Sequence, residues 1–186
     1  MATSGSTGFN LNIDDIIQEG YQRCSITTTS GYDLKSARRS LNLLFSEWGN
    51  RGIHLWKVDL NESALVSGQA EYSVASDVSD VLEAFISSTA AASDNANTQD
   101  ISLTKIDRSA YAALPNKLAT GQPSQYYVER QTTPKIYLYQ APNLNTYTTL
   151  KFYVLKRIED AGGYHNDADV VYRFLPCMCA GLAYYL

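Results

Sequence analysis

The chain has 186 residues, 45% of them apolar and 18% charged, with a formal net charge of −4. That composition is ordinary for a soluble protein, and the length suits one domain or one domain with a large insertion. No apolar run is long enough to cross a membrane as a helix, and Cys24, Cys177 and Cys179 are odd in number and wrongly spaced for a disulfide framework or a zinc knuckle. They read as small buried apolar residues of a protein made in a reducing cytoplasm.

Met1 to Asn10 is rich in Ser, Thr and Gly and lacks the apolar core of a signal peptide, so it is expected to be mobile unless a partner pins it. A first helix follows. Asn12 is placed to cap it, Asp14 and Asp15 fall in its first turn, and Ile13, Ile16, Ile17, Tyr21 and Cys24 make its apolar stripe. Gly20 weakens this helix by about 1 kcal/mol relative to alanine, and leaves room for close packing. Thr27 to Gly31 reads as a turn. Leu34, Ala37, Leu41, Leu44, Phe45 and Trp48 then recur at helical spacing, with Asp33 as the expected N-cap and Gly49 and Gly52 as stop signals. A short connection predicts that the two helices pack antiparallel.

From Ile53 to Arg157 the pattern is mostly that of strands. Leu55, Lys57 and Asp59 alternate with His54, Trp56, Val58 and Leu60, which predicts a strand running straight out of the second helix. Ser63 to Val66 and Ala70 to Val74 flank Ser67-Gly68 as a hairpin, and Asp77 to Asp80 reads as a turn or a single helical turn. Val81 to Ile86 is a strand, and Ser87 to Asn97 an exposed loop tip. Thr98 to Ile106 alternates again. Ser109 to Leu114 is a short helix stopped by Pro115-Asn116. Gln125 to Glu129, Pro134 to Gln140 and Thr146 to Lys156 complete the sheet. Tyr137 and Tyr139 share a face; Tyr147 and Leu150 do so only if a bulge intervenes.

Asp160 to Asp169 reads as a loop. From Val170 to Leu186 the chain is apolar nearly all round, which predicts a helix buried on most sides, started or kinked by Pro176, with Gly181 allowing contact with Gly20. The expected fold is α+β. Residues 1–52 and 158–186 form a helical bundle, and residues 53–157 form an antiparallel β-sandwich or barrel inserted between them.

Charge is divided along the chain. Residues 58–100 hold eight acids and no base: Asp59, Glu62, Glu71, Asp77, Asp80, Glu83, Asp94 and Asp100. Residues 101–157 hold eight bases (Lys105, Arg108, Lys117, Arg130, Lys135, Lys151, Lys156 and Arg157) against Asp107 and Glu129. One reading pairs acid with base across strands of one sheet. Another sets one subunit's acidic flank, with Glu62, Glu71, Asp77 and Asp80, against its neighbour's Lys135, Lys151, Lys156 and Arg157 in a head-to-tail ring. A third, contact with passing DNA, needs a basic surface on the lumen of such a ring. The 14 tyrosines suit both strands and subunit contacts.

No catalytic motif is legible: there is no Gly-x-Gly-x-x-Gly, Walker-type loop or Gly-x-Ser-x-Gly. His54, beside Trp56, reads as a packed imidazole. His165 has Asp160, Asp167 and Asp169 nearby, yet the loop lacks the acid spacing and glycine of a calcium site. It reads as a solvated loop whose Asp167 or Asp169 caps the last helix. No catalytic residue, metal ligand or cofactor is expected.

The segment Ala37-Arg38-Arg39-Ser40-Leu41-Asn42-Leu43-Leu44-Phe45-x-Glu47-Trp48, followed by Gly49-Asn50-Arg51-Gly52-Ile53-x-Leu55-Trp56, resembles the head-to-tail adaptor (connector) proteins of tailed bacteriophages. Among these it is similar to adaptor-like virion proteins of marine and freshwater phages. Further carriers are Leu65-Val66-x-Gly68-x-Ala70-x-Tyr72, Leu114-Pro115-Asn116-Lys117, Gly121-x-Pro123-x-x-Tyr126, Tyr139-x-Ala141-Pro142, Arg157 to Gly163 and Phe174-Leu175-Pro176-Cys177. The resemblance spans about Leu11 to Leu186. It implies a structural virion protein, made in the host cytoplasm and located in the neck. Identical subunits, twelve in similar proteins, form a ring that joins the portal protein to a tail or nozzle protein and lets DNA pass.

Under that resemblance the portal-binding candidates are Arg38, Arg39 and Asn42 on the second helix, and Tyr184, Tyr185 and Leu186 on the last. Similar adaptors continue the last helix into an arm, so the natural chain is expected to run past Leu186. The alternatives are a tail-associated β-module that binds glycan or another tail protein through its tyrosines, and a hydrolase using the clustered acids.

Overall fold

Local chemistry sets the helices. The computed structural model describes residues 5–6, 8–27, 30–88 and 99–186. Helix α1 spans Ile13–Arg23. Asn12 caps it as expected: its side chain accepts from the Asp15 N–H at 2.8 Å, and Asp15 answers the Asn12 N–H. The next free N–H groups are taken by backbone, Ile13 donating to the Asn166 carbonyl and Asp14 to the Tyr164 carbonyl, both at 2.9 Å.

Helix α2 spans Gly31–Asn50 and is longer than its apolar stripe implied. Ser30, not Asp33, is the N-cap; Asp33 sits in the first turn, and its carboxylate accepts from the Ser30 hydroxyl at 2.8 Å. Gly49 lies inside the helix. The left-handed turn that ends it falls on Gly52, at φ +74°. The strand expected to follow starts later, at Val58, because Leu55–Lys57 closes a single 3₁₀ turn first.

Among the described residues ten strands follow in order: β1 Val58–Ala64, β2 Glu71–Ser73, β3 Val78–Ser88, β4 Asp100–Ser102, β5 Thr104–Ile106, β6 Thr120–Gly121, β7 Gln125–Glu129, β8 Lys135–Tyr139, β9 Ala141–Pro142 and β10 Tyr147–Lys156. Helix α3, Arg108–Ala113, sits between β5 and β6, capped by Asp107. The fold is mixed α+β. One four-stranded antiparallel sheet has the order β1-β10-β3-β4. The other has the order β2-β8-β7-β5, antiparallel except that β5 joins β7 in parallel. The short β6 and β9 form a parallel pair.

The expected hairpin around Ser67-Gly68 does not form. Gly68 does turn the chain, at φ +77°, but β1 pairs with β10 and β2 with β8, so the turn passes the chain from one sheet to the other. Of the segment 77–80, Asp77 lies in a turn closed by the Val78 N–H donating to the Ala75 carbonyl at 3.1 Å, whereas Val78, Ser79 and Asp80 are extended and open β3. The alternating run 98–106 is divided: Leu103 is buried between β4 and β5, and the two strands enter different sheets. A register shift at Tyr147/Thr149 supplies the bulge that lets Tyr147 and Leu150 pack on one core. The loop expected at 87–97 begins inside β3, and residues 89–98 lie outside the described residues, as do parts of the expected 1–10 arm and the 27–31 turn.

The chain divides into two compact units: residues up to Trp56 with Ile158–Leu186, and Lys57–Arg157. In the first, Ile13, Ile16, Ile17, Leu41, Leu44, Met178 and Leu182 lead a buried cluster. In the second, Val81, Ile86, Tyr126, Ile136, Leu138, Leu150 and Val154 do the same, drawing on both four-stranded sheets. Each such side chain contributes about 1.5–3 kcal/mol of burial.

Helix α4, Leu175–Tyr185, has Pro176 in its first turn. It is not buried on most sides. Leu175, Met178, Cys179 and Leu182 face the core, whereas Pro176, Cys177, Ala180 and Tyr184 are exposed. Gly181 does not meet Gly20. A Cβ on Gly181 would lie 2.9 Å from Leu44 Cδ2, and one on Gly20 would lie 3.2 Å from Leu182 Cδ2. The glycines let α4 approach α2 and α1 respectively.

Candidate assembly surfaces

The polar face of α2 divides between internal and free groups. Arg38 Nη1 donates to the Gly162 carbonyl at 3.1 Å, and its guanidinium lies 5.3 Å from the centre of the Tyr164 ring. Asn42 Oδ1 accepts from the Ala161 N–H at 2.7 Å. Arg38 and Asn42 therefore hold the 161–164 loop against α2. Arg39 is exposed and donates to Ser36 Oγ at 3.4 Å. No sequence signal tied Arg38 and Asn42 to that loop, because the partners lie some 120 residues away.

The 161–169 loop has a structural job. Asp169 does not cap the last helix; its carboxylate accepts from the Glu159 N–H at 3.0 Å and its carbonyl from Trp56 Nε1 at 3.2 Å. Asp167 forms an isolated bridge with Asn12. His165 is exposed. No group of three or more His, Cys, Asp or Glu able to hold a metal occurs among the described residues.

Helix α4 carries no charged residue. Tyr184 is 88% exposed and Tyr172, in the turn before the helix, 77%. With Pro176, Cys177 and Ala180 they make an apolar stripe facing outward. Tyr185 is anchored: its hydroxyl donates to the Glu47 carboxylate, which raises the phenol's pKa and lowers that of Glu47. Leu186 packs against the helical core. Beside this stripe, Phe9, Leu11, Gln22, Tyr172, Leu175 and Pro176 line an open groove of about 850 Å³.

The divided charges meet within the chain. Lys151 faces Glu62 directly across β10 and β1, with Nζ 3.6 Å from Oε1. Lys156 reaches Asp59 at 2.8 Å, and Lys135 pairs with Glu71. Asp80 binds Arg130 at 2.8 Å and Lys105 at 3.3 Å. Burial alone would raise the Asp80 pKa; the Arg130 hydrogen bond and the Lys105 charge outweigh it and hold the carboxyl below its usual range. Arg157 donates to the Ser76 carbonyl, and its N–H donates to the Asp77 carbonyl at 2.9 Å. Pairs within the chain thus occupy Asp59, Glu62, Glu71, Asp80, Lys135, Lys151 and Lys156, and backbone carbonyls occupy Arg157.

The tyrosines also pack on one another. Tyr111 of α3 stacks on Tyr127 of β7 at 5.3 Å, and Tyr127 on Tyr137 of β8 at 6.0 Å. The Tyr137 hydroxyl donates to Glu129 at 3.0 Å. Burial first, and that hydrogen bond second, push the Tyr137 pKa up to about 12. This cluster fastens α3 to its sheet. No family model matches the chain, and no curated protein matches it either.

Proposed function

We propose that the chain is a structural virion protein: an adaptor subunit that assembles in copies into a ring, joins the portal to the tail and lets DNA pass. Its work is binding, without a cofactor. The finer fold reading belongs to the same proposal: a helical bundle into which a β-sandwich is inserted. The observation that carries the assembly reading is the outward apolar stripe of Tyr172, Pro176, Cys177, Ala180 and Tyr184, on a segment whose helix has no charge. Monomeric surfaces seldom leave such a row uncovered, and contiguous exposed apolar patches mark contact sites. The likeness of the 37–56 segment to phage adaptors supplies the kind of partner. Many modest contacts per subunit add through ring multivalency, so no single strong site is needed.

The glycan-binding alternative loses ground because the faces of Tyr111, Tyr127 and Tyr137 are spent on each other. The hydrolase alternative loses ground because Asp59, Glu62, Glu71 and Asp80 are each held by a base. The test is co-sedimentation of the chain with assembled cognate portal. Ala180→Glu combined with Tyr184→Ser removes binding if the stripe is a contact. Unchanged binding at unchanged stability contradicts that role.

A further inference from the structure

Strand β1 is built inside out. Its apolar residues Val58 and Leu60 point away from the core, each 39% exposed, beside Leu155 and Tyr153 of β10. Asp59, Asn61 and Ser63 take the inward positions, and no β1 residue belongs to the buried core. Phe85 of β3 extends the outer row, 6.1 Å from Tyr153. Among the described residues β1 is also an edge, paired only with β10, without a bulge and without proline or lysine. Of the devices by which proteins protect edges, β1 keeps only the charges of Asp59 and Glu62, and these are paired within the chain with Lys156 and Lys151. The other edges of the two four-stranded sheets, β2, β4 and β5, are three residues long.

The phase of the open edge follows from one hydrogen bond. The Leu65 N–H donates to the Thr148 carbonyl at 2.7 Å, in step with the β1–β10 register. Alternation then turns the odd residues toward β10 and leaves the N–H and C=O groups of Val58, Leu60, Glu62 and Ala64 on the edge. Among the described residues, the Leu60 N–H is answered locally, by Asp59 Oδ1 at 3.0 Å.

We infer that two copies of this chain pair through β1, antiparallel about Asn61, into one eight-stranded sheet. The occupant is a second copy because the strand complements itself. Centred on Asn61, all seven residues pair: Val58 faces Ala64, Leu60 faces Glu62, Asp59 faces Ser63 and Asn61 faces its own copy. No like charges meet. Registers centred on Asp59 or Glu62 set carboxylate against carboxylate, which destabilises a pair. Lys156 and Lys151 already neutralise Asp59 and Glu62, so a second acidic strand is accepted.

This inference does not rest on the ring reading. A two-fold contact closes after two copies, whereas a ring repeats a different contact. The test is the mass of the intact chain, free of portal, by light scattering at graded concentration. The wild type is expected as a dimer; a monomer throughout overturns the inference. Ser63→Lys sets a base against Asp59 of the other copy and tightens the dimer about tenfold, whereas Ser63→Glu weakens it about tenfold. The register centred on Leu60 would place Ser63 opposite Lys57 and reverse both signs, overturning the assignment about Asn61. Asn61→Cys is expected to cross-link two copies on mild oxidation, and Asp59→Cys is not. Equal cross-linking by both also refutes the register. Unchanged circular dichroism of each variant shows that the single chain is intact.

Discussion

His54 offers the sharpest stability test, because it is 3% exposed and neither ring nitrogen has a hydrogen-bond partner among the described residues. An unpaired buried polar group costs about 1–3 kcal/mol. Replacing His54 by leucine removes two such atoms at similar volume, so His54→Leu is expected to gain about 1–2 kcal/mol at pH 7.5. The pH dependence has a definite sign. Burial holds the imidazole below its ordinary 6.5. As the pH falls through 6.5 the unfolded chain takes up a proton that the folded chain refuses, so the wild type loses stability until the lower folded pKa is reached. The slope approaches about 1.4 kcal/mol per pH unit. The assay is urea unfolding at pH 7.5, 6.5 and 5.5, followed by fluorescence of Trp48 and Trp56, the chain's two tryptophans, which belong to the same unit as His54. The gap between variant and wild type should widen toward pH 5.5. A gap that stays constant, or a variant less stable at pH 7.5, refutes the reasoning.

Asn42→Ala removes the side-chain acceptor of the partly buried Ala161 N–H and should cost about 1–3 kcal/mol in urea unfolding. Arg38→Ala should cost a similar amount through Gly162 and Tyr164, and the pair should be non-additive because both hold one loop. Asp80→Asn should destabilise at pH 7. Because the Asp80 pKa is depressed, that difference should vanish as the pH falls through its folded value, read by thermal unfolding at pH 7, 4 and 2.5. Leu138→Ala, at a fully buried site in β8, should cost about 2–5 kcal/mol.

What could be read from sequence was local. The Asn12 cap with its reciprocal Asp15, the strands β7, β8 and β10, and the helix before Pro115 all follow from short-range chemistry. Ser30 was overlooked because Gly31 and Tyr32 stand between it and the apolar stripe, although Ser30-x-x-Asp33 has the spacing of a cap. The hairpin at Gly68 failed for a different reason. Its turn is present, but β10 and β8 compete for the two strands, and pairing over some 65 to 97 residues leaves no trace in a local pattern. The apolar composition of α4 said that it packs; only the positions of α1 and α2 decide that one stripe is covered and the Tyr184 side is not. The site residues on α2 show the same limit, since Arg38 and Asn42 looked free until the 161–164 loop folded onto them.

The central claim is that this chain is recruited in copies by a portal ring. Its most direct test is native mass spectrometry of the chain mixed with its cognate portal. The account predicts a complex holding one chain for each portal subunit, with twelve of each if the portal is a dodecamer. A portal that keeps its own mass in excess chain contradicts it.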